Sequence, residues 1–416
     1  MQKQCKITGF FLFLQMFADF FCLICSKYLP LLGKHYNMSL YLVAFFFLSI
    51  AQTVFSVPAE RVRRILKIVD GNHVEGVLCG DELGAFYRAA NGRMIVKTSR
   101  GFESISLTAG TDLHNVMATR RAQMKRVGSV QTAPIKTVGL KYVPVVLVSF
   151  ADKYFSVVSS HQNLLRYYEL FCNGLRNDER YTGHGSRGSI KDYFLEQSMG
   201  QFEPEFILIG PVRIDSAYAF YGADSYDGNG KILHLDVKFS LFRNEAISKA
   251  LSLYSDWSIF DNDADGSVDM VFFPYAGMGQ NNGGSEATIW PKEFTAAVTI
   301  AGTRFATSAA YCECRPLRRD GQGKVVETKV DGIGVFVHEL SHALGLPDFY
   351  DTKNVVFGMD MWSVMDYGEY CNNGYNPANG TAYERNFMGW EPLPEIVGPS
   401  TLHLGCFAYG EGVLRL

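Results

Sequence analysis

The sequence has no excess of either charge: 39 lysines and arginines stand against 42 aspartates and glutamates, a formal net charge of -3 over 416 residues. Lysine and arginine are nowhere gathered into a basic surface interleaved with aromatics, so nucleic-acid binding has no support. After Ser56 there is no CxxC pair, which removes the usual cysteine-based zinc motif. Beyond that point stand Cys79, Cys172, Cys312, Cys314, Cys371 and Cys406. Their even number permits disulfides in an exported protein without fixing a pairing, and Cys312 and Cys314 share a face if their segment is a strand. What is present is apolar content, 47% of residues, and a length beyond one ordinary domain, enough for a large buried core.

The most informative stretch is His338-Glu339-Leu340-Ser341-His342-Ala343-Leu344-Gly345-Leu346-Pro347-Asp348. Residues four apart on a helix share a face, so His338 and His342 can point ring nitrogens at one ion with Glu339 beside the open coordination position. Ile333, Val335, Phe336, Val337, Leu340, Ala343 and Leu344 make the segment an apolar, buried helix, with Asp331 expected as its N-cap. Two imidazoles and a carboxylate buried there are costly without a partner, and zinc suits all of them. Gly345 supplies the left-handed residue that ends the helix, and Pro347 helps fix the turn that brings Asp348 to the metal. Asp351 and Glu384 are rival carboxylates, read as supporting or structural groups.

Downstream, Trp362-Ser363-Val364-Met365-Asp366-Tyr367-Gly368 forms a short turn sequence. Together, HELSHALGLPDFYD and FGMDMWSVMDYG resemble the immune inhibitor A-type secreted metalloproteases of the metzincin clan, and the resemblance runs from about Val143 to Trp390. It implies an α+β, metzincin-like protease domain with a mixed twisted sheet, an active-site helix and a Met-turn. It also implies His338, His342 and Asp348 as zinc ligands, Glu339 as general base, and Met365 as the apolar floor beneath the metal. The wider clan has histidine as third ligand; aspartate is the variant of this narrower family. Tyr367 matches a tyrosine that in some metzincins hydrogen-bonds the tetrahedral intermediate, and a merely packed aromatic is the equal alternative. Protein or peptide substrates follow from the same resemblance.

A third signal is Asp261-Asn262-Asp263-Ala264-Asp265-Gly266-Ser267-Val268-Asp269, with oxygen-bearing side chains at alternate positions and glycine at the sharp turn. The twelfth position, a bidentate glutamate in an EF-hand, is Phe272 here. The reading is a structural calcium loop capped by a strand, using Asp261, Asp263, Asp265, Asp269 and the Ser267 carbonyl.

Two apolar runs open the chain, Phe10 to Cys25 interrupted by Asp19, and the uncharged Ser39 to Ser56. The second reads as a signal peptide, which makes Met38 the initiator, leaves Val57 as the new start and places the protein outside the cell or at its surface. A retained anchor is the alternative, against which Ser49, Gln52 and Thr53 argue. Residues 1–56 are thus extension and signal, and contact with a membrane is expected only there. A small β-rich pro-domain follows over 57–118, suggested by turns at Asp70-Gly71-Asn72 and Asn91-Gly92-Arg93. A basic linker over 119–141, with Arg120, Arg121, Lys125 and Arg126, is the expected maturation site, between about Arg120 and Lys141. The catalytic domain spans 142–392, and 393–416 begins a β-rich region that the chain leaves unfinished. Cys79 is a candidate to occupy the fourth zinc position before cleavage. Val298 to Ala310 reads as one strand, a candidate edge for pairing with extended substrate. Nothing in the sequence sets an oligomeric state. The competing function is a calcium-stabilised binding or adhesion protein on an inactive protease scaffold, and retention of Glu339 argues against it.

Overall fold

Short strands separated by Asx turns come first in the part of the chain described by a computed structural model, namely residues 53–81, 84–105, 133–156, 161–174, 181–226, 232–351, 358–393 and 398. β1 (Thr53–Ser56) is followed by β2 (Arg63–Lys67), β3 (His73–Asp81), β4 (Gly84–Ala89), β5 (Met94–Thr98) and β6 (Gly101–Ile105). β2 to β6 form an antiparallel five-stranded meander. Two of its turns are those the sequence signals: Asp70 and Asn91 accept the N–H two residues on, and Gly71 and Gly92 take positive φ of 91° and 78°. The apolar runs before residue 53, most of the basic linker and the region after 398 lie outside the described residues.

From Gly139 the pattern changes to alternating helices and long strands. These are β7 (Gly139–Ser149), α1 (His161–Asn173), α2 (Ile190–Gln197), β8 (Phe202–Arg213), the one-turn α3 (Tyr218–Tyr221) and the short pair β9 (Ser225–Tyr226) and β10 (Ile232–His234). Next come α4 (Phe239–Ala250), β11 (Ser267–Met278), β12 (Lys292–Ile300), β13 (Thr303–Arg319), β14 (Val325–Val330), α5 (Gly334–Ala343) and α6 (Ala382–Phe387). β7 and β11 are nearly continuous buried apolar runs, as strands covered on both faces must be. They lie inside a seven-stranded mixed sheet of order β1-β12-β13-β11-β7-β8, with β14 also on β13. β13, β11, β7 and β8 are parallel neighbours, whereas β1, β12 and β14 are joined antiparallel.

Alternation along the strands separates two cores. Val143, Val145, Leu147, Met270 and Phe272 face α1, α2 and α5, and the Phe272 ring stacks on Phe336 with centroids 3.8 Å apart. Val146, Val148, Val271 and Phe273 face the other way, onto Phe242, Ala246 and Ile247 of α4. One face of the meander, through Leu66, Leu78, Tyr87 and Ile95, belongs to the same buried cluster as α5. The α+β class is as the sequence indicates, and no helix among the described residues is long and apolar enough to cross a membrane.

Two expectations need correction. Val298 to Ala310 is not one strand: Ala301 and Gly302 take positive φ of 49° and 88° and fold it into the β12–β13 hairpin. β13 is then an interior strand, and the outer β12 pairs over Lys292 to Thr295 with β1, which residues assigned to the export segment supply. Asp331 does not cap the zinc-motif helix, which begins after Ile333 without a side-chain cap. Its carboxylate is taken instead by Arg315 at 3.3 Å and by the N–H of Gly332. The described cysteines form no disulfide: Cys79, Cys172, Cys312, Cys314 and Cys371 are free thiols, with Cys312 against Asp331 and Cys314 against Ser156. Cys406 lies outside the described residues.

Candidate metal centre

Every residue of α5 is buried, so its polar side chains lie in a dry environment. The rings of His338 and His342 meet edge to face with centroids 4.6 Å apart. Each is tied at Nδ1 to a carbonyl oxygen, His338 to Val364 at 2.8 Å and His342 to Leu346 at 2.7 Å. A carbonyl only accepts, so both Nδ1 atoms carry the hydrogen and both Nε2 atoms present lone pairs. Burial, partly opposed by the Asp348 carboxylate, pushes His342 down to about 4 and keeps it neutral.

The Nε2 atoms stand 3.0 Å apart, and Asp348 Oδ1 lies 3.4 Å from His338 Nε2 and 3.2 Å from His342 Nε2. Two lone pairs and a carboxylate oxygen at that range repel unless a cation sits among them. For a tetrahedral ion with bonds of about 2.0–2.1 Å, ligand atoms are about 3.3 Å from one another, and the separations bracket that value. Among the described residues this is one of two carboxylate, thiol or imidazole groups close enough to hold an ion; the other is Asp261, Asp263, Asp265 and Asp269.

The end of α5 creates the geometry. Gly345 takes a positive φ of 102°, its N–H bonds to His342 O, and the N–H of Leu346 bonds back to Ser341 O. That is a Schellman stop, and only glycine takes its left-handed residue without strain. The same turn sets the Leu346 carbonyl on His342 Nδ1 and redirects the chain so that Asp348 returns to the helix face. The segment after it is held by the turn around Met365, whose buried residue accepts the Phe349 N–H at 2.9 Å. Ser363 closes that turn: its carbonyl accepts from Asp366 and Gly368, and its hydroxyl from the Met365 N–H at 3.0 Å. One turn thus fixes both His338, through Val364 O, and the chain leaving Asp348.

Glu339 is fully buried on the same helix. Tyr367 lies under the Arg61 guanidinium at 3.9 Å, and burial pushes its hydroxyl up to about 12. It lines a cleft of about 540 Å³ with Arg61, Cys79 and Asp351. Cys79 Sγ donates to Val77 O and is not part of the converging group; burial pushes its thiol up. Glu384 is structural, accepting from the Ser363 hydroxyl and closing a capping box with Thr381 at the start of α6.

Sequence reasoning missed both carbonyls, which no side-chain pattern reports, and missed Glu369. Glu369 is fully buried with Oε2 3.6 Å from His338 Nδ1, and burial, reinforced by Glu339 and Asp348, holds its carboxyl well above the usual range. An acid two residues past Tyr367 is visible in the sequence, but nothing there marks it as buried.

In the second group, Asp261 accepts the N–H groups of Asp265 and Gly266, and Asp265 accepts that of Ser267. Ala264 and Gly266 take positive φ of 61° and 87°, which curls the loop back on itself. Asp269, at the start of β11, is the buried member, and burial pushes it up to about 6. The Ser267 hydroxyl accepts from Arg304, and Lys136 approaches Asp263 at 3.9 Å.

Residues 135–391 match the family model of the immune inhibitor A peptidase M6 catalytic domain. The chain is 26% identical over 311 residues to immune inhibitor A of Bacillus thuringiensis subsp. alesti, covering 65% of this chain and 44% of that protein. It is 26% identical over 243 residues to the pre-pro-metalloprotease PrtV of Vibrio cholerae serotype O1 (strain M66-2), covering 51% and 25%. The chain therefore spans less than half the length of either relative. The match takes in α5, the Gly345 stop and the Met365 turn together, and the chain belongs to the immune inhibitor A peptidase M6 family.

Proposed function

We propose that this chain is a zinc-dependent endopeptidase, exported and made as a precursor. The observation that carries the reading is the set of 3.0, 3.2 and 3.4 Å separations among His338 Nε2, His342 Nε2 and Asp348 Oδ1, with both imidazoles held in the ligating tautomer by carbonyls. Those three residues would hold the zinc ion on a metzincin-like scaffold, with the Met365 turn beneath it. Zinc, when bound, supplies a Lewis acid that polarises a peptide carbonyl and lowers the pKa of water to about 7. Glu339 takes the proton from the attacking water and delivers it to the leaving amine. Its burial keeps that proton from bulk solvent. Tyr367 would donate to the developing oxyanion only once Arg61 leaves its ring, which supports reading the segment before the meander as part of a precursor.

The meander of β2 to β6 serves as the pro-domain in this reading. Maturation falls upstream of Ala133, because Ile135 is already buried and its N–H is bonded to Ala343 O at the end of α5. The test is casein hydrolysis by the processed protein before and after zinc chelation. Activity is lost on chelation and restored by stoichiometric zinc; activity unaffected by a chelator that strips the metal contradicts the reading.

Asp261, Asp263, Asp265 and Asp269, with the Ser267 carbonyl, form a structural calcium site. Asp269 holds a proton more tightly folded than unfolded, so without calcium stability is full near pH 4 and falls as pH rises through about 6. Calcium displaces that proton. Added calcium is therefore expected to raise the melting temperature more at pH 7 than at pH 5 while leaving zinc content unchanged. An equal or absent shift at the two pH values counts against the site.

A further inference from the structure

Glu369 is a fully buried acid neither of whose oxygens meets a hydrogen-bond donor at ordinary distance and angle among the described residues. Its nearest hydroxyl, on Tyr370, is committed elsewhere, donating to Pro58 O at 2.7 Å while accepting from Asn281 Nδ2 at 3.0 Å. The carboxyl group is fully buried, and the Glu369 backbone packs directly against the first turn of α5. A Cβ added at Gly334 would lie 1.9 Å from the Glu369 carbonyl oxygen. A desolvated carboxylate in that position is costly unless a positive charge lies close by. The polar neighbour it faces is His338 at Nδ1, 3.6 Å away, on the side of the ring opposite the Nε2 atom aimed at Asp348.

We infer that Glu369 is a positioning residue that tightens metal binding by reinforcing the Nδ1–H side of His338. The inference depends on the zinc site proposed above. The Val364 carbonyl takes the hydrogen bond and sets the ring angle, and the Glu369 carboxyl oxygen 3.6 Å from Nδ1 adds negative potential along the same N–H, so the Nε2 lone pair becomes a stronger donor. By reciprocity, an ion bound at Nε2 offsets the cost of burying Glu369. The residue therefore works against the metal-free fold and in favour of the metal-bound one. A residue that only packs would support both states.

The experiment is competition for zinc between the full chain and a chromophoric chelator, paired with thermal melts of the metal-free and zinc-loaded forms, for the wild type and Glu369→Gln. The zinc dissociation constant is expected to rise about 10- to 100-fold in Glu369→Gln. The metal-free melting temperature should hold or increase. Glu369→Asp, which withdraws the carboxylate from Nδ1 by one methylene, should fall between the two and serves if the glutamine variant does not fold. Unchanged zinc affinity in a folded variant overturns the inference, as does a metal-free form destabilised as much as the loaded one. A wild type that binds no zinc overturns instead the site on which it depends.

Discussion

Glu339→Ala is expected to lower casein hydrolysis by about 10²- to 10⁴-fold, the range for loss of a positioned general acid and base, while zinc content stays at the wild-type value. The separation of the two readouts comes from the geometry. Glu339 sits on the helix between the two histidines, yet the converging ligand atoms are those of His338, His342 and Asp348. Removing its carboxylate leaves both carbonyl-tied imidazoles and the Asp348 oxygen where they are. It also takes a buried acid away from Glu369, whose carboxyl it raises, so the fold should not suffer. Loss of zinc together with activity would instead make Glu339 a ligand. Retained activity would remove it from the mechanism.

The second large effect is on stability. Gly334→Ala should cost about 3 kcal/mol or more, because its methyl would meet backbone and not the end of a flexible side chain. At this position a Cβ would come within 1.9 Å of Glu369 O and 2.8 Å of Glu369 C, and the Gly334 N–H is already bonded to Gly374 O at 2.9 Å. Neither side can give way cheaply. Moving α5 displaces His338 and His342, and moving the turn displaces Val364 O, which orients His338. Thermal unfolding should drop by roughly 6–12 °C on the usual scaling for a domain of this size, with zinc affinity falling alongside. Gly321→Ala, where an added methyl meets nothing within 4 Å, is the control and should be nearly neutral. A melting temperature for Gly334→Ala equal to that control would show that the contact between α5 and the turn relaxes easily.

The three converging residues are legible in the sequence because one periodicity and one helix stop specify them. A 3.6-residue repeat puts His338 and His342 together, and a glycine at the helix end returns the chain to the same face at Asp348. The acidic loop is legible for a similar reason, since alternate carboxylates around Gly266 have a local geometric meaning. Effects that depend on distant partners are not legible. Asp331 has the right composition for an N-cap, but Arg315, 16 residues earlier on β13, competes for it and wins. Gly302 signals the hairpin inside Val298 to Ala310, but the apolar alternation that runs across it masks the turn. The pairing of β1 with β12 joins segments more than two hundred residues apart, and the Val364 and Leu346 carbonyls are backbone atoms that any residue would supply. Glu369 shows the same limit. A carboxylate in a turn sequence reads as solvated until the packing around Gly334 shows it is not.

The most direct test of the zinc site is the zinc K-edge absorption spectrum of the zinc-loaded full chain. Two imidazole nitrogens and one carboxylate oxygen from His338, His342 and Asp348 should give a shell of light atoms at about 2.0–2.1 Å, with the multiple scattering of two histidine rings. His342→Ala should lose one ring contribution and most of the affinity. A sulfur shell at about 2.3 Å would bring a cysteine such as Cys79 to the metal, and the spectrum of loosely hydrated zinc would mean that the three residues converge without forming a site; either result contradicts coordination by His338, His342 and Asp348.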